Sequence, residues 1–235
     1  MSTPIRDSLD RAKVLATIRR LEQRIADRFP AGGLLAVAGE LEAVAATIES
    51  DLRYIERPNW VLRSGVIFFI TAVVLVLGIG LATTELGHEG LTLAELVGIV
   101  ESILNDVILI GAAVIFLFSL ENRRKRRRVI ESINRLRSLA HVIDMHQLTK
   151  DPTVLLVEGG ADTAHSPERT MRPYDLGRYL DYASELLSLV SKVGFCYVQD
   201  FDDPEAVAAV TELETLTNGL ARKVWQKIML LPRGA

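Results

Sequence analysis

From Ser64 to Thr84 the chain runs SGVIFFITAVVLVLGIGLATT without one charged residue. The run has about 21 residues, and ~20 apolar residues in a helix are what it takes to cross the hydrocarbon core of a bilayer. A helix buried in a soluble protein keeps some polar face over such a length. This one keeps none, which predicts a transmembrane helix over about 64–84. The chain as a whole is 49% apolar and 24% charged, values ordinary for a soluble protein. Those averages hide a segregation: apolar residues crowd the middle third, and charges crowd the flanks.

A second apolar stretch, VILIGAAVIFLFSL from Val107 to Leu120, has only about 14 residues and is too short to cross alone. Extended outward it takes in Asp106, Asn105, Ser102 and Glu101, giving a span over about 100–120. Directly after it stand Arg123, Arg124, Lys125, Arg126, Arg127 and Arg128. Arg53, Arg57 and Arg63 precede the first span, with Trp60 placed as an interfacial aromatic. The loop between the spans, about 85–95, carries glutamates and no Lys or Arg. Lys and Arg in short loops stay on the cytoplasmic side, so both flanks are expected inside and the loop outside. The N-terminus has no apolar core of the kind a signal peptide needs, so the first span is expected to remain in the mature protein.

Residues 1–57 read as a helical hairpin. Val14, Ile18, Leu21 and Ile25 form one stripe, and Leu34, Val37, Leu41, Val44, Ile48 and Ile55 form the next. Pro30, Gly32 and Gly33 separate them. After the membrane hairpin, 58–122, the segment 123–148 reads as a basic stop signal and helical stalk. Val129, Ile133, Leu136, Ala140 and Ile143 keep an a/d rhythm there. With no breaker before it, one helix is expected from about Leu93 to Leu148, roughly 80 Å long. Residues 149–173 read as a loop. Two more helices are expected in 174–235, the first with Leu176, Tyr179, Ala183, Leu187, Val190 and Tyr197. The second is capped at Asp203-Pro204-Glu205 and carries Val207, Val210, Leu213, Leu220, Val224 and Ile228. The fold class expected is all-α: a two-helix transmembrane hairpin with a cytoplasmic helical bundle formed by the N- and C-terminal flanks.

Asp106 is the most consequential candidate residue. Counted at 1.5 Å per residue from Glu121, it lies ~22 Å into a ~30 Å core, where an ionisable group costs several kcal/mol unless it faces a cavity or a partner. One reading is a proton or cation site on an oligomer axis, with Asn105 beside it, Ser102 one turn away and Glu101 near the outer surface. The other is a short span whose outer turns lie in the interface, where the helix dipole favours acids at an N-terminus. The cluster Arg123–Arg128 reads first as a stop signal and also as a contact for anionic lipid. The net charge of −3 argues against nucleic acid.

His141, Asp144 and His146 spell H-x-x-D-x-H, but five residues turn a helix by 500°, setting the two imidazoles about 140° apart. The stretch TVLLVEGGAD, Thr153–Asp162, resembles the first acidic motif of Toprim domains, and Asp200-Phe201-Asp202 resembles the second. The resemblance implies Mg²⁺ on Glu158, Asp200 and Asp202. Toprim domains require a parallel sheet, whereas the residues between these motifs read as loop and helix, so the likeness ends with the motifs. No catalytic residue, metal or cofactor is expected. Cys196, flanked by Phe195 and Tyr197, reads as a small core residue.

Three runs resemble segments of uncharacterised bacterial two-transmembrane-helix membrane proteins with a cytoplasmic helical domain. They are RLRSLAHVIDMHQLTKDP (Arg135–Pro152), RYLDYASELLSLV (Arg178–Val190) and LTNGLARKVWQKIM (Leu216–Met229). The resemblance implies a bacterial inner-membrane protein and brings no activity with it. The function expected is that of a non-enzymatic, homo-oligomeric scaffold or sensor, held in the lipid bilayer and meeting a cytoplasmic protein partner. The alternative is a small ion channel or transport subunit with its pore lined by the second span.

Overall fold

The computed structural model describes residues 8–56, 60–83, 93–152, 164–166 and 171–231. The elements among them are six α-helices and no strand: α1 (Arg11–Arg28), α2 (Gly33–Glu56), α3 (Trp60–Thr83), α4 (Leu93–Leu148), α5 (Pro173–Val198) and α6 (Pro204–Met229). They divide into two compact units. Residues 1–54 and 126–235 make one, and residues 55–125 make the other.

The first unit is a five-helix bundle of α1, α2, the part of α4 from Arg126 onward, α5 and α6. The Asp10 carboxylate starts α1 by accepting from the amides of Ala12 and Lys13. The helix buries Val14, Ile18, Leu21 and Ile25. At its end the Phe29 amide donates to the Ile25 carbonyl, and a tight turn leads into α2. Arg19 meets Glu42 at 2.6 Å across this hairpin, so the two helices run antiparallel. Arg24 grips Glu185 with two hydrogen bonds, 2.7 and 3.1 Å, and sets α5 antiparallel to α1.

The end of α4, read from sequence as a stalk, is a core helix of this bundle: Val129, Ile133, Leu136, Ala140 and Ile143 are all fully buried. Gly194 on α5 lets α6 approach closely: a Cβ there would lie 2.7 Å from the Leu213 side chain, and at an ordinary 3.8 Å from Ile133 and Leu136 of α4. On α6 the buried set is Ala206, Val210, Leu213, Thr217, Leu220 and Val224, a strict 4-3-4-3-4 rhythm. Val207, assigned to that stripe from sequence, is 40% exposed. Asp203 and Pro204 fix where the helix starts, and that start turns Ala206 inward instead. Thr217 sits in the core because its hydroxyl donates to the Leu213 carbonyl.

The second unit inverts the usual distribution. On α3, Ile67 and Phe68 are exposed, and on α4 so are Leu104, Val107, Ile108, Ile115 and Phe116. Phe68 is 76% exposed and Ile115 72%. Such a density of large apolar groups on a surface marks contact with something other than water. α4 is long and apolar enough, over Val100–Leu148, to cross a membrane. The described apolar stretch of α3 is Arg63–Leu75, shorter than the crossing expected over 64–84. Most of the loop expected at 85–95, and much of the loop 149–173 with Glu158, lie outside the described residues.

Candidate functional site

The basic cluster does not act as one surface. Arg126 turns to α6, where its guanidinium binds Asp203 at 2.8 Å and also Glu205. Asp203 is thereby used twice, because its other oxygen accepts from the amides of Glu205 and Ala206 and caps α6. These acids, Asp203 first, push the Arg126 guanidinium still further above its ordinary value. Arg127 pairs with Glu131 at 2.9 Å and Lys125 with Glu121 at 2.8 Å, both one turn along α4. Arg128 reaches α2 and donates from Nε to Asp51 at 2.9 Å. Arg123 and Arg124 are exposed and have no ion-pair partner among the described residues.

Asp51 is a buried acid within the apolar stripe of α2, between Ile48 and Leu52. Besides Arg128 it accepts from the hydroxyl of Tyr197, a side chain with no exposure, at 3.2 Å. Burial pushes the Tyr197 phenol above its ordinary value. One ion pair, a phenol hydroxyl and three helices thus meet in a small polar node. A buried carboxylate survives only when its oxygens are satisfied in this way. The signal was in the sequence, since an aspartate at Ile48 + 3 interrupts an otherwise apolar face. Its partners, distant along the chain, could not be read there.

At the opposite end of the bundle Lys227 donates at 2.7 Å to the Gln147 carbonyl, which also accepts from the Lys150 amide at 3.1 Å, at the end of α4. Burial holds the Lys227 ammonium below its ordinary value, and Asp151 and Asp144 oppose that shift. His146 lies directly over Gly33, so close that a Cβ there would enter the imidazole. His141 is exposed, and the Asp144 carboxylate accepts from Gln147. No group of three metal-ligating side chains forms among the described residues. Asp200 is paired with Arg11. Cys196 is buried, and desolvation pushes its thiol above the ordinary value.

The candidates on the outer half of α4 separate. Glu101, Ser102 and Asn105 line one open groove of about 780 Å³ together with Val97, Gly98 and Ile108. Asp106 is not among its lining residues and is half-buried. Asn105 and Asp106 are neighbours in sequence and therefore point about 100° apart on a helix.

The chain matches no family model, no curated protein and no solved structure.

Proposed function

We propose that this chain is a two-span membrane anchor carrying a cytoplasmic five-helix bundle, and that the bundle is a non-enzymatic scaffold or sensor for a protein partner. What supports the topology is the make-up of the bundle. Its helices come from before residue 55 and after residue 125, interlocked by Arg128 with Asp51 and Arg24 with Glu185. Both halves therefore lie on one side of any bilayer. α4 is long and apolar enough to cross once, and one crossing alone would part them. An even number of crossings is needed, and α3, with its exposed Ile67 and Phe68, supplies the return. The Lys and Arg bias puts the bundle inside, in keeping with a bacterial inner membrane.

The sensor role is supported by α4 itself, which holds no Gly or Pro from Ala112 to Leu148. The topology is tested with single cysteines in a Cys196→Ser background and a membrane-impermeant maleimide. Gly87→Cys should label in intact cells, and Ser8→Cys only after lysis. The reverse pattern, or a chain recovered in the soluble fraction, overturns the reading.

The groove bearing Glu101, Ser102 and Asn105 favours a second reading, a homo-oligomeric pore subunit. Two-span protomers need roughly four or more copies to surround water. Mass photometry in nanodiscs separates the two: a closed ring raises the pore, and a monomer or dimer removes it.

A further inference from the structure

A cleft in the second unit lies between the start of α3 and the later end of the apolar part of α4. It encloses about 250 Å³ and is lined by Arg63, Val66 and Ile67 from one helix and Leu117, Phe118 and Glu121 from the other. Four apolar side chains make the walls, and charge gathers at one end. The spacing explains this: Arg63, Val66 and Ile67 share a face at i, i+3, i+4, as do Leu117, Phe118 and Glu121. Continued by one turn, the same face of α4 carries Arg124 and Lys125, three and four residues beyond Glu121. Arg123, two residues beyond, projects about 160° away.

The charges at this end do not cancel. Glu121, its side chain only 10% exposed, is matched by Lys125 at 2.8 Å. Arg63 and Arg124 have no ion-pair partner among the described residues. Arg126, Arg127 and Arg128, by contrast, are spent on Glu205 and Asp203, Glu131 and Asp51. An apolar slot lined at its charged end by the uncompensated Arg63, with Arg124 one turn further along the same face of α4, calls for an amphiphile with a hydrocarbon tail and an anionic head.

We propose that this cleft is a specific site for one anionic glycerophospholipid. An acyl chain lies along Val66, Ile67, Leu117 and Phe118, and the headgroup phosphate is held by Arg63 and Arg124. Arg forks match phosphate oxygens in pairs, and basic pockets at the cytoplasmic ends of transmembrane helices take such headgroups. The Glu121–Lys125 pair excludes a second anion and fixes the polar end of the slot. This inference rests on the reading of α3 and α4 as membrane spans.

The test uses the full chain, stripped of lipid in detergent and titrated with dioleoylphosphatidylglycerol or dioleoylphosphatidylcholine, with bound lipid counted by native mass spectrometry. One phosphatidylglycerol per protomer should bind in preference to phosphatidylcholine. Arg124→Gln and Arg63→Gln should each weaken it by roughly fivefold, and Arg123→Gln should not. Equal binding of the two lipids overturns the site. So does an equal loss from Arg123→Gln and Arg124→Gln, which would mean a diffuse basic surface. Carbonate extraction of cell membranes separates the two levels of failure. A chain that stays in the membrane but shows no lipid preference sinks the site alone, and a chain released as soluble protein sinks the membrane reading with it.

Discussion

At the scale of single residues, two close contacts make sharp predictions. The Tyr197 phenol is held protonated by burial and donates to Asp51. A folded pKa raised above the ordinary value means that this contribution to stability is complete below pH ~10 and is lost as pH climbs through the folded pKa. Tyr197→Phe should therefore cost about 1 kcal/mol near neutrality. Between pH 9 and 11, however, its melting temperature should fall less than that of the wild type. Gly33 is the second case. An added methyl would overlap His146, so Gly33→Ala should destabilise by about 1–3 kcal/mol. In a His146→Ala background the same change should cost almost nothing, a non-additivity that a double-mutant cycle in urea measures. Neither contact was legible in the sequence. Tyr197 meets Asp51 across a separation of 146 residues, and only the packed bundle creates that neighbourhood.

At the scale of helices the sequence was more informative. Every residue of the Val14, Val129 and Leu176 stripes is buried where the 4-3 spacing put it. Two of the failures are one-residue slips, and Ile228, placed at the end of the α6 stripe, is only half-buried. Ala45 is buried on α2 where Val44 was expected, and Ala206 on α6 where Val207 was. In both cases the larger of two adjacent apolar residues looked like the core position, and the start of the helix decided otherwise. Asp203 sets that start for α6, which makes it the residue to test. Asp203→Ala removes the cap and should cost about 1 kcal/mol in thermal unfolding. Asp203→Asn keeps the cap and should cost less, losing only the charge opposite Arg126. On α4, Leu136→Ala opens space in the centre of the bundle and should cost about 2–5 kcal/mol by the same assay.

At the scale of the whole molecule, residues 55–125 interrupt a single bundle made of the segments before and after them. The side chains of Asp51 and Arg128 touch, so the two points where the chain leaves and rejoins the bundle are close. Replacing residues 55–125 by about eight Gly and Ser residues, which span roughly 15 Å, should leave a water-soluble helical protein with one cooperative melt. Circular dichroism that shows helix without a cooperative transition would mean that the bundle needs the hairpin. The interruption also has a consequence for biogenesis. α1 and α2 leave the ribosome first, with Leu21, Ile25, Leu34 and Leu41 lacking the helices that will cover them. About 170 residues separate the end of α2 from the end of α6, and at ~5–20 residues per second they take about 9 to 35 s to make. Through that interval the nascent chain holds an uncovered apolar surface. Its first half-domain should therefore need shielding at the exit tunnel until α4, α5 and α6 emerge to cover it, which places the hazard of this fold in its synthesis and not in its finished state.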